Sequence, residues 1–477
     1  MRAAHGTLIS TLRSHRGRAV AVIALLAALV LAAALFPYPG QAEQPARQPD
    51  GVGADAQTGD PAAAASTPAA AADRLLSGER LRAGESIGTG TGSHRLAMEP
   101  NGDAVLYAGT AALWSTGTGG NAGASLTMDA GGELTVHSAD GAELWSNGAS
   151  AAGARLVVKP DGRLYEISEA DEAVWSTPAP SYLAGAAPYV NPNSPAAVGA
   201  RQALAAGRVD DAALLEKAAA QASARWLSTG DSIADVEGRT RGYAAAAAAA
   251  GQTPVFVAYA IPDRDCGNHS AGGFSVADYR EWSAAVARGL EGSRAVMIVE
   301  PDSLLHVYKC GDSDERFDLL RQVSAAYAAA GAEVYLDGAT SNSFGQGPKP
   351  LADIAARLEK AGVDRVAGFA TNVSNFQTVA DERAYANKLS GLLGGAQYVI
   401  DTSRNGNGGL RDASGGIWCN PPGRALGERP GATSDGAHVA NLWVKTVGLS
   451  DGACNGGPAA GTYWEKYLLE LAANAPW

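Results

Sequence analysis

The chain has 477 residues, of which 46% are hydrophobic and 18% charged, and its formal net charge is −12. The length exceeds one ordinary domain, and the hydrophobic content excludes a wholly disordered chain. The negative charge disfavours nucleic acid and anionic lipid, so no nucleic-acid partner is predicted.

The N-terminal segment has the pattern of an export signal. Residues 1–18 are basic, and residues 19–36 form an unbroken apolar run before a Pro/Gly stretch. Residues 1–42 are therefore predicted to be a signal peptide or a signal anchor. The protein is then secreted, or held at the membrane through residues 19–36. Residues 43–73, rich in Ala, Pro and Gly, are predicted to be a disordered linker.

The predicted export affects how the cysteines are interpreted, and the histidines bear on whether a metal site is present. The four cysteines (Cys266, Cys310, Cys419 and Cys454) form an even set without C-x-x-C spacing. An exported protein favours two disulfides, and three pairings are possible. The histidines show no spacing typical of zinc, so no metal site and no cofactor are predicted.

A repeat occupies the next segment. The pair Trp-Ser recurs at Trp114, Trp145 and Trp175, each time after two short alternating apolar stretches. A period of about 30 residues with period-two alternation predicts three equivalent β units. One unit cannot bury its own apolar face, so the three are expected to pack around a pseudo-threefold core. Core packing is the preferred interpretation of the tryptophans, and ligand stacking is the alternative.

This segment, residues 74–180, resembles the bulb-type mannose-binding lectin domain, an all-β three-repeat β-prism. The family's sugar pocket follows the pattern Q-x-D-x-N-x-V-x-Y. The first repeat keeps the last two residues and changes the three polar ones, whereas the other repeats lose most of the pattern. The resemblance implies mannose or another sugar as a ligand, and a spacer without mannose specificity is the alternative. The corresponding residues are Glu99, Asn101, Asp103, Val105 and Tyr107.

The last 295 residues alternate β-rich apolar runs with helical patterns, which predicts a parallel sheet closed, or nearly closed, into a barrel. The predicted strands are 255–261, 295–299, 333–336, 365–370, 397–400 and 441–444. The predicted helices are 275–291, 313–331, 348–361, 379–394 and a last one near 461–473.

Acids and amides follow nearly every predicted strand. They are Asp263, Asp265, Asp302, Asp337, Asn372, Asn375, Asp401 and, farther on, Asp451. The carboxyl ends of parallel strands share one rim, where barrel enzymes build their sites. Helix capping explains some of these acids singly, but not the whole set. Clustered carboxylates without a metal favour glycoside hydrolysis, in which one acid is protonated and another ionised. Trp226, Trp418 and Trp443 are candidates for sugar stacking at the rim.

Several stretches resemble glycoside hydrolase family 6. The most specific are residues 259–266 (YAIPDRDC) and 298–304 (IVEPDSL); residues 371–375 (TNVSN), 401–406 (DTSRNG) and 418–424 (WCNPPGR) also match. The resemblance covers about residues 189–477, and the catalytic domain is predicted at 183–477. It implies a distorted parallel β/α barrel, in the α/β class, that cleaves β-1,4-glucan with inversion.

The resemblance also implies roles for single residues. Asp302 corresponds to the general acid, Asp265 with Ser270 to the organiser of a water chain, and Asp451 to the base or an electrostatic partner. Tyr259 corresponds to the side chain pressing on the distorted sugar, and Arg264 to the residue orienting the carboxylates. The other residues predicted to bind substrate are Trp226, Asp337, Asn372, Trp418 and Lys445. The implied disulfides are Cys266–Cys310 and Cys419–Cys454.

Three positions depart from the family pattern. Thr340 stands where the family has a sugar-contacting histidine, and Leu449 replaces a sugar-binding glutamate. The aromatic residue expected after that histidine is missing or shifted to Phe344. These changes leave the predicted catalytic acids intact but affect affinity or substrate preference.

The preferred hypothesis is therefore a secreted endoglucanase acting on internal bonds, since the short loops leave the cleft open. The alternatives are a cellobiohydrolase-like enzyme and a non-catalytic polysaccharide-binding protein with altered specificity.

Overall fold

The computed structural model describes residues 73–346, 349–412 and 415–477. The predicted signal segment, residues 1–42, and the predicted linker as far as residue 72 lie outside the described residues. Within the described ranges, no helix has both the length and the apolar character that crossing a bilayer requires.

The N-terminal part of the described chain consists of three four-stranded antiparallel sheets, called here the three-sheet module (residues 74–176). The sheets have the orders β3-β4-β5-β6, β2-β7-β8-β9 and β1-β10-β11-β12. The strands are β1 (Arg74–Leu75), β2 (Arg80–Arg82), β3 (Ser86–Gly88), β4 (His94–Met98), β5 (Ala104–Ala108), β6 (Ala111–Ser115), β7 (Ser125–Met128), β8 (Leu134–His137), β9 (Glu143–Ser146), β10 (Arg155–Val158), β11 (Leu164–Ile167) and β12 (Ala173–Ser176).

The three repeated tryptophans meet where the sheets converge. Trp114, Trp145 and Trp175 contact one another edge to face, with ring centroids 5.7, 6.2 and 6.3 Å apart. All three pack against the buried apolar core of the module. Such edge-to-face pairs add to the stabilisation from buried area. The core-packing interpretation therefore agrees with the geometry.

The rest of the chain is an α/β region built on an eight-stranded sheet. Its strands are β13 (Arg225–Ser228), β14 (Val255–Tyr259), β15 (Val296–Val299), β16 (Glu333–Asp337), β17 (Gly368–Thr371), β18 (Gln397–Asp401), β21 (Gly431–Asp435) and β22 (His438–Leu442), with a separate hairpin β19 (Leu410–Asp412) and β20 (Gly415–Ile417). The helices are α1 (Tyr182–Gly185), α2 (Pro195–Ala205), α3 (Val209–Ala219), α4 (Ile233–Ala249), α5 (Val276–Leu290), α6 (Ser313–Ala329), α7 (Leu351–Lys360), α8 (Val379–Leu392) and α9 (Glu465–Ala473).

The sheet is parallel and nearly closed. Its order is β13-β14-β15-β16-β17-β18-β22-β21, and every pair is parallel except β22 with β21. The amide of Ala224, just before β13, donates to the carbonyl of Trp443, just after β22, at 2.9 Å. This contact brings the two ends of the parallel series together, so the predicted barrel-like architecture is confirmed for this region.

The predicted elements differ from the observed ones in identifiable ways. The sequence analysis did not predict β13 or the helices α2, α3 and α4. These three helices are rich in alanine, and their amphipathic patterns are weak. The predicted strand 365–370 begins later, at Gly368, because a 3₁₀ turn (Val363–Arg365) precedes it. The predicted strand 441–444 begins earlier, at His438.

Both faces of the parallel strands are buried. In β14, Val257 and Tyr259 belong to the cluster inside the barrel, whereas Phe256 and Ala258 face the helices. Parallel strands covered on both sides are typically continuous apolar runs. With both faces apolar, the polar residues collect at the strand ends.

The three-sheet module contacts the α/β region beside β21, and both belong to one compact unit. The amide of Gly436 in the β21–β22 turn lies 3.4 Å from the hydroxyl of Ser115 at the end of β6. The module therefore covers part of the one antiparallel edge strand, which would otherwise expose unpaired backbone groups.

Candidate active site

The carboxylates predicted to form the site come from four loops at one end of the barrel. Asp265 lies after β14, Asp302 after β15, Asp337 at the end of β16, and Asp451 beyond β22. The charges of the other three each act on the pKa of Asp302. The structure thus brings together acids separated by as many as 186 positions in sequence.

Asp302 is held by its own backbone against Asp337. Its amide donates to Oδ2 of Asp337 at 2.7 Å, while the other oxygen of Asp337 accepts from Ala339 at 3.3 Å. Asp302 has a φ of 66°, in the left-handed region that aspartate tolerates better than most residues. This turn places the amide of Asp302 toward the buried carboxylate.

The environment of Asp302 favours its protonated form. Burial raises the pKa of Asp302 well above its ordinary value, and the charges of Asp337 and Asp265 raise it further. Lys445 acts in the opposite direction but does not offset the burial. A carboxyl group kept protonated near neutrality can donate a proton to a leaving group.

Asp265 is connected to Tyr259 through Ser270. Oδ2 of Asp265 accepts from the amide and the hydroxyl of Ser270 at 2.8 and 2.7 Å. The hydroxyl of Ser270 also lies 3.0 Å from the hydroxyl of Tyr259. The three side chains form a continuous polar chain, a suitable arrangement for holding a water molecule and passing its proton.

Arg264 and a disulfide shape the loop that carries Asp265. Arg264 donates to the carbonyls of Ser270 and Tyr259 at 2.9 and 2.8 Å, and its guanidinium lies 4.7 Å from the Tyr259 ring. Arg264 therefore holds the backbone of this loop, and its charge also acts directly on the pKa of the nearby Glu300. The Cys266–Cys310 disulfide then joins the loop to the segment following Asp302.

Asp451 has the opposite electrostatic environment. It is 7% exposed, and its oxygens contact Arg404 Nη1 at 2.8 Å and Lys445 Nζ at 2.9 Å. The amide of Asn420 donates to it at 3.1 Å. Burial alone would raise the pKa of Asp451, but Arg404 and Lys445 outweigh burial and lower it to about 2. Asp451 is therefore ionised at any pH near neutrality.

The motif that contains Arg404 begins with Asp401, a buried carboxylate that holds several loops together. Asp401 is fully buried and accepts amide hydrogens from Ser374, Ser403, Val444 and Lys445 at 2.9 to 3.2 Å. It thus connects the ends of β17, β18 and β22. Because one of its donors is the backbone of Lys445, Asp401 also positions the ammonium group that contacts Asp451.

Glu300 performs a similar task next to Asp302. Its buried carboxylate accepts from the amides of Ala260 and Ile261 and from the hydroxyl of Tyr279, at 3.0 to 3.1 Å. Burial raises the pKa of Glu300 to about 7. The sequence analysis did not select Glu300 or Arg404, although each stands inside a matching motif, and it named Asp401 only as one of the acids that follow the predicted strands. A polar residue at the end of an apolar strand, as at Glu300 and Asp401, was the sequence feature that could have indicated them.

The three candidate tryptophans have different surroundings. Trp418 is 47% exposed beside His269, with centroids 5.8 Å apart, so its face is open to a ligand. Trp226 is half-buried, donates to the carbonyl of Val444 and packs edge to face on Tyr259. Trp443 is 1% exposed and packs near Trp477 at 6.4 Å. The prediction of Trp443 as a rim residue is wrong, because the C-terminal segment covers it.

Two predicted substrate-binding residues are buried as well. Asn372 is fully buried, and its amide contacts backbone groups of Gln377 and Asp401. Asp337 is 3% exposed and holds the Asp302 loop. Both side chains support the loops that form the rim. Neither side chain is therefore exposed for contact with a ligand.

The departures from the family pattern lie in the same region. Thr340 is buried, with its hydroxyl directed at Asn342 and Ser343. Phe344 is fully buried under Arg357, so it does not replace the missing rim aromatic residue. Leu449 is half-buried opposite Tyr463 in a short antiparallel bridge.

Among the described residues, His269, Cys419 and Cys454 form a group whose side-chain atoms lie close enough for a metal ion. Cys419 and Cys454 are joined in a disulfide, so their sulfurs are not available as thiolate ligands. Both disulfides have the pairing that the family resemblance implied.

The residues of the first module repeat contact one another. The Tyr107 hydroxyl donates to Glu99 at 3.1 Å, and the Arg95 guanidinium lies 4.3 Å from the Tyr107 ring. Asp103 accepts from Thr116 and Thr118 at 2.9 and 3.1 Å. Asn101 accepts from the amide of Asp103, and Val105 is buried. Much of the polar capacity of this set is thus satisfied internally.

A site with one protonated and one ionised carboxylate, on a parallel β/α barrel, is typical of the class of acid-catalysed hydrolases. The comparisons make this class specific. Residues 183–475 match the model of glycosyl hydrolases family 6, and the chain belongs to this family.

Relatives and solved structures agree with this assignment. The chain is 45% identical over 268 residues to endoglucanase A of Cellulomonas fimi, covering 56% of this chain and 57% of that protein. It is 38% identical over 297 residues to endoglucanase 1 of Streptomyces halstedii, covering 60% and 86%. The endoglucanase Cel6 structure from Mycobacterium tuberculosis, in complex with a thio-linked cellobioside, superposes with a TM-score of 0.57 at 43% identity, covering 61% and 98%.

Proposed function

We propose that the chain hydrolyses internal β-1,4-glucosidic bonds of cellulose or a related β-glucan, with inversion and without a cofactor. The observation that carries the proposal is the electrostatic contrast at the rim. Asp302 is half-buried beside other carboxylates and favours its neutral form, whereas Asp451 is kept ionised by Arg404 and Lys445. An acid and a charged carboxylate at one site meet the requirement of glycoside hydrolysis, and the inverting outcome is proposed from membership of the family.

The proposed reaction uses each group in turn. Asp302 donates its proton to the glycosidic oxygen as the bond from that oxygen to the anomeric carbon breaks. A water molecule adds to the opposite face of the carbon, and its proton leaves through Ser270 and Asp265. With a pKa of about 2, Asp451 is a weak base, so we assign it the stabilisation of positive charge on the sugar ring.

Substrate contacts are assigned to three residues, of which Trp418 is 47% exposed, Lys445 is half-buried and Tyr259 is 8% exposed. Tyr259 presses on the sugar at the reacting position, Trp418 offers its exposed face for stacking, and Lys445 binds a hydroxyl beside Asp451. Trp226 supports Tyr259 from behind. Arg264 acts through the loop, as do the buried Asp337 and Asn372.

Internal cleavage is favoured over a cellobiohydrolase-like mode. The relatives named endoglucanase are 37–45% identical to the chain, whereas those named cellobiohydrolase are 28–29% identical. The chain spans 57% of the length of the Cellulomonas fimi protein, so the comparison concerns the catalytic part of that enzyme.

We propose a catalytic domain at residues 183–477 and a bulb-type lectin-like β-prism domain at 74–180, which contains the three-sheet module. Export of the protein is supported by the two disulfides, which persist in oxidising compartments. Mannose binding at the first repeat remains a prediction, because Glu99, Tyr107 and Asp103 largely bond within the module.

The test of the catalytic assignment is Asp302→Asn assayed on two substrates. Acid catalysis matters most for a poor leaving group, so reducing-sugar release from soluble cellulose should fall by at least about 10²-fold. An aryl β-cellobioside with a dinitrophenolate leaving group needs little protonation and should lose far less. Asp314→Asn, an exposed acid in the first turn of α6, is the matched control and should retain wild-type rates on both.

Equal losses of Asp302→Asn on the two substrates would contradict its role as the acid. Following the anomeric proton signal by NMR tests inversion, since the first product should be the α-anomer. Viscosity loss that precedes reducing-end release supports internal cleavage. If the wild-type protein is retained on a β-glucan column but hydrolyses no β-glucan, the alternative of a non-catalytic binding protein is supported instead.

A further inference from the structure

An open groove of about 520 Å³ lies on the second sheet of the three-sheet module, far in sequence from the catalytic residues. Its lining includes Arg80, Arg82, Ser125, Thr127 and His137. Strand pairing explains why they meet: Arg82 lies opposite Ser125, Ser125 opposite His137, and Arg80 opposite Thr127. Residues two apart in a strand share a face, so these side chains form one polar surface.

The other face of the same strands is part of the core. Leu81, Leu126 and Val136 alternate with the groove residues and are at most 5% exposed. Their burial fixes the register, because a slip of one residue would exchange the two faces. The polar groove is therefore a stable feature of the folded module.

The groove is basic although the chain is acidic overall, with a net charge of −12. Among the described residues that line it there is no aspartate or glutamate. The Arg80 guanidinium contacts no described residue through a hydrogen bond or ion pair. Arg82 lies 4.0 Å from the exposed Glu85, a pair that solvent largely screens. The nearby Asp140 is hydrogen-bonded to the Ser138 hydroxyl.

The other two sheets differ at this surface. Arg95 on the first sheet covers the ring of Tyr107, as described above. On the third sheet Arg155 is paired with Asp171, and Lys159 lies 4.1 Å from the ring of Tyr165. On the second sheet, by contrast, the neighbouring Arg80 and Arg82 both line the groove.

We propose that this groove binds an acidic polysaccharide, a glycan that carries carboxylate groups such as a uronate chain. Arginine binds carboxylates through paired, charge-assisted hydrogen bonds. Arg80 and Arg82 are two residues apart, so their backbones are separated by about 7 Å along the strand and can serve two carboxylates of one chain. The hydroxyls of Ser125 and Thr127 between the arginines and His137 suit the hydroxyls of the sugar units.

The ligand therefore differs in chemistry from the neutral glucan proposed for the catalytic region. Attachment to an acidic glycan would keep the enzyme on a mixed polysaccharide matrix while it cleaves the neutral polymer.

The test is a calorimetric titration of the full chain with polygalacturonate at low ionic strength. The affinity should fall with added salt, and it should fall at least about tenfold in Arg80→Gln/Arg82→Gln, because two charge-assisted contacts are lost. The variant Arg80→Lys/Arg82→Lys keeps the charge but loses the paired hydrogen bonds, so its affinity should lie between those of the wild type and the glutamine variant. The matched control Arg95→Gln/Arg155→Gln removes the same charge from the other two sheets and should bind as the wild type does.

Near-UV circular dichroism, to which the edge-to-face Trp114, Trp145 and Trp175 contribute together with the other tryptophans of the chain, should be unchanged in each variant if the module stays folded. Absence of binding by the wild type overturns the proposal, as does equal weakening in the groove and control variants. Stronger binding of neutral mannan would assign the groove to a neutral sugar instead. Equal binding of poly-L-glutamate would mean recognition of charge alone, and would reject the glycan.

Discussion

Asp302 and Asp337 are joined by a 2.7 Å hydrogen bond from the amide of the first to the carboxylate of the second. The contact has two effects that reinforce each other. It fixes the turn that presents the Asp302 side chain, and it places a buried negative charge beside it. The group proposed as the acid therefore receives both its position and part of its raised pKa from Asp337.

Asp337→Asn is predicted to move the alkaline limb of the pH profile. Asp302 must be protonated to donate, so kcat/KM declines as pH rises through its pKa. Asparagine keeps an oxygen for the Asp302 amide but removes the charge, which lowers the pKa of Asp302. The alkaline limb should move down by about one pH unit, measured as kcat/KM on soluble cellulose.

The control for that experiment is Asp353→Asn, an exposed acid in the first turn of α7. It should leave the limb where the wild type has it. If the alkaline limb of Asp337→Asn is unshifted, the decline in kcat/KM reflects the titration of a group other than Asp302.

Arg404→Gln is predicted to destabilise the protein strongly. Asp451 and Arg404 are both almost fully buried, so the substitution leaves a buried carboxylate with only Lys445 as a cationic partner. Loss of one partner of a buried ion pair costs about 3–5 kcal/mol. Denaturant unfolding should detect this, while Arg383→Gln, which breaks an exposed 2.9 Å pair with Asp435, should cost at most about 1 kcal/mol. Similar losses of unfolding free energy in the two variants would contradict the claim that the buried ion pair matters more than the exposed one.

The same ion pair predicts how stability changes in acid. The pKa of Asp451 is lowered from 3.8 to about 2 on folding, so its contribution is complete above the unfolded value. The contribution is lost as pH falls from about 4 toward 2. In Asp451→Asn this part of the decline in unfolding free energy should be missing. Parallel curves for the variant and the wild type over that range would contradict the prediction.

Ser270→Ala is predicted to affect turnover more than binding. The substitution removes the hydroxyl that links Asp265 to Tyr259. Without it the attacking water is less well held, and kcat should fall at least about tenfold with KM nearly unchanged. Ser270→Thr keeps a hydroxyl and should recover much of the rate. A rise in KM alone would instead assign Ser270 to substrate binding.

The double substitution Cys266→Ser/Cys310→Ser tests the covalent connection behind Asp265. The bond closes a loop with a sequence separation of 44, so its removal should lower the unfolding free energy by about 4 kcal/mol in the chain-entropy model. Because Cys266 follows Asp265 directly, kcat should fall even where the variant is folded. Cys419→Ser/Cys454→Ser, with a separation of 35, provides the comparison at the Trp418 side. Unchanged kcat in the first variant would show that the loop keeps its shape unaided.

Much of the architecture could be predicted from local patterns. The alternation of apolar runs with helical segments indicated a parallel barrel, and the repeated Trp-Ser pairs indicated three β units. The end of each parallel strand is also visible in sequence, because a polar residue stops an apolar run. For that reason Asp265, Asp302 and Asp337 could be assigned to one rim before any distance was known.

Burial of single side chains could not be predicted in this way. Trp443 and Phe344 look like exposed rim aromatics, yet distant segments cover them. Arg404 and Lys445 determine the ionisation of Asp451 from 47 and 6 positions away, and no periodicity reports such a pairing.

The amino-acid sequence by itself determined the elements and the chemical groups at their ends, because both follow from short-range periodicity and residue type. The tertiary structure alone decided which carboxylate is buried among like charges and which is paired with cations. That difference depends on desolvation and on distances between loops, and both exist only once the barrel has closed.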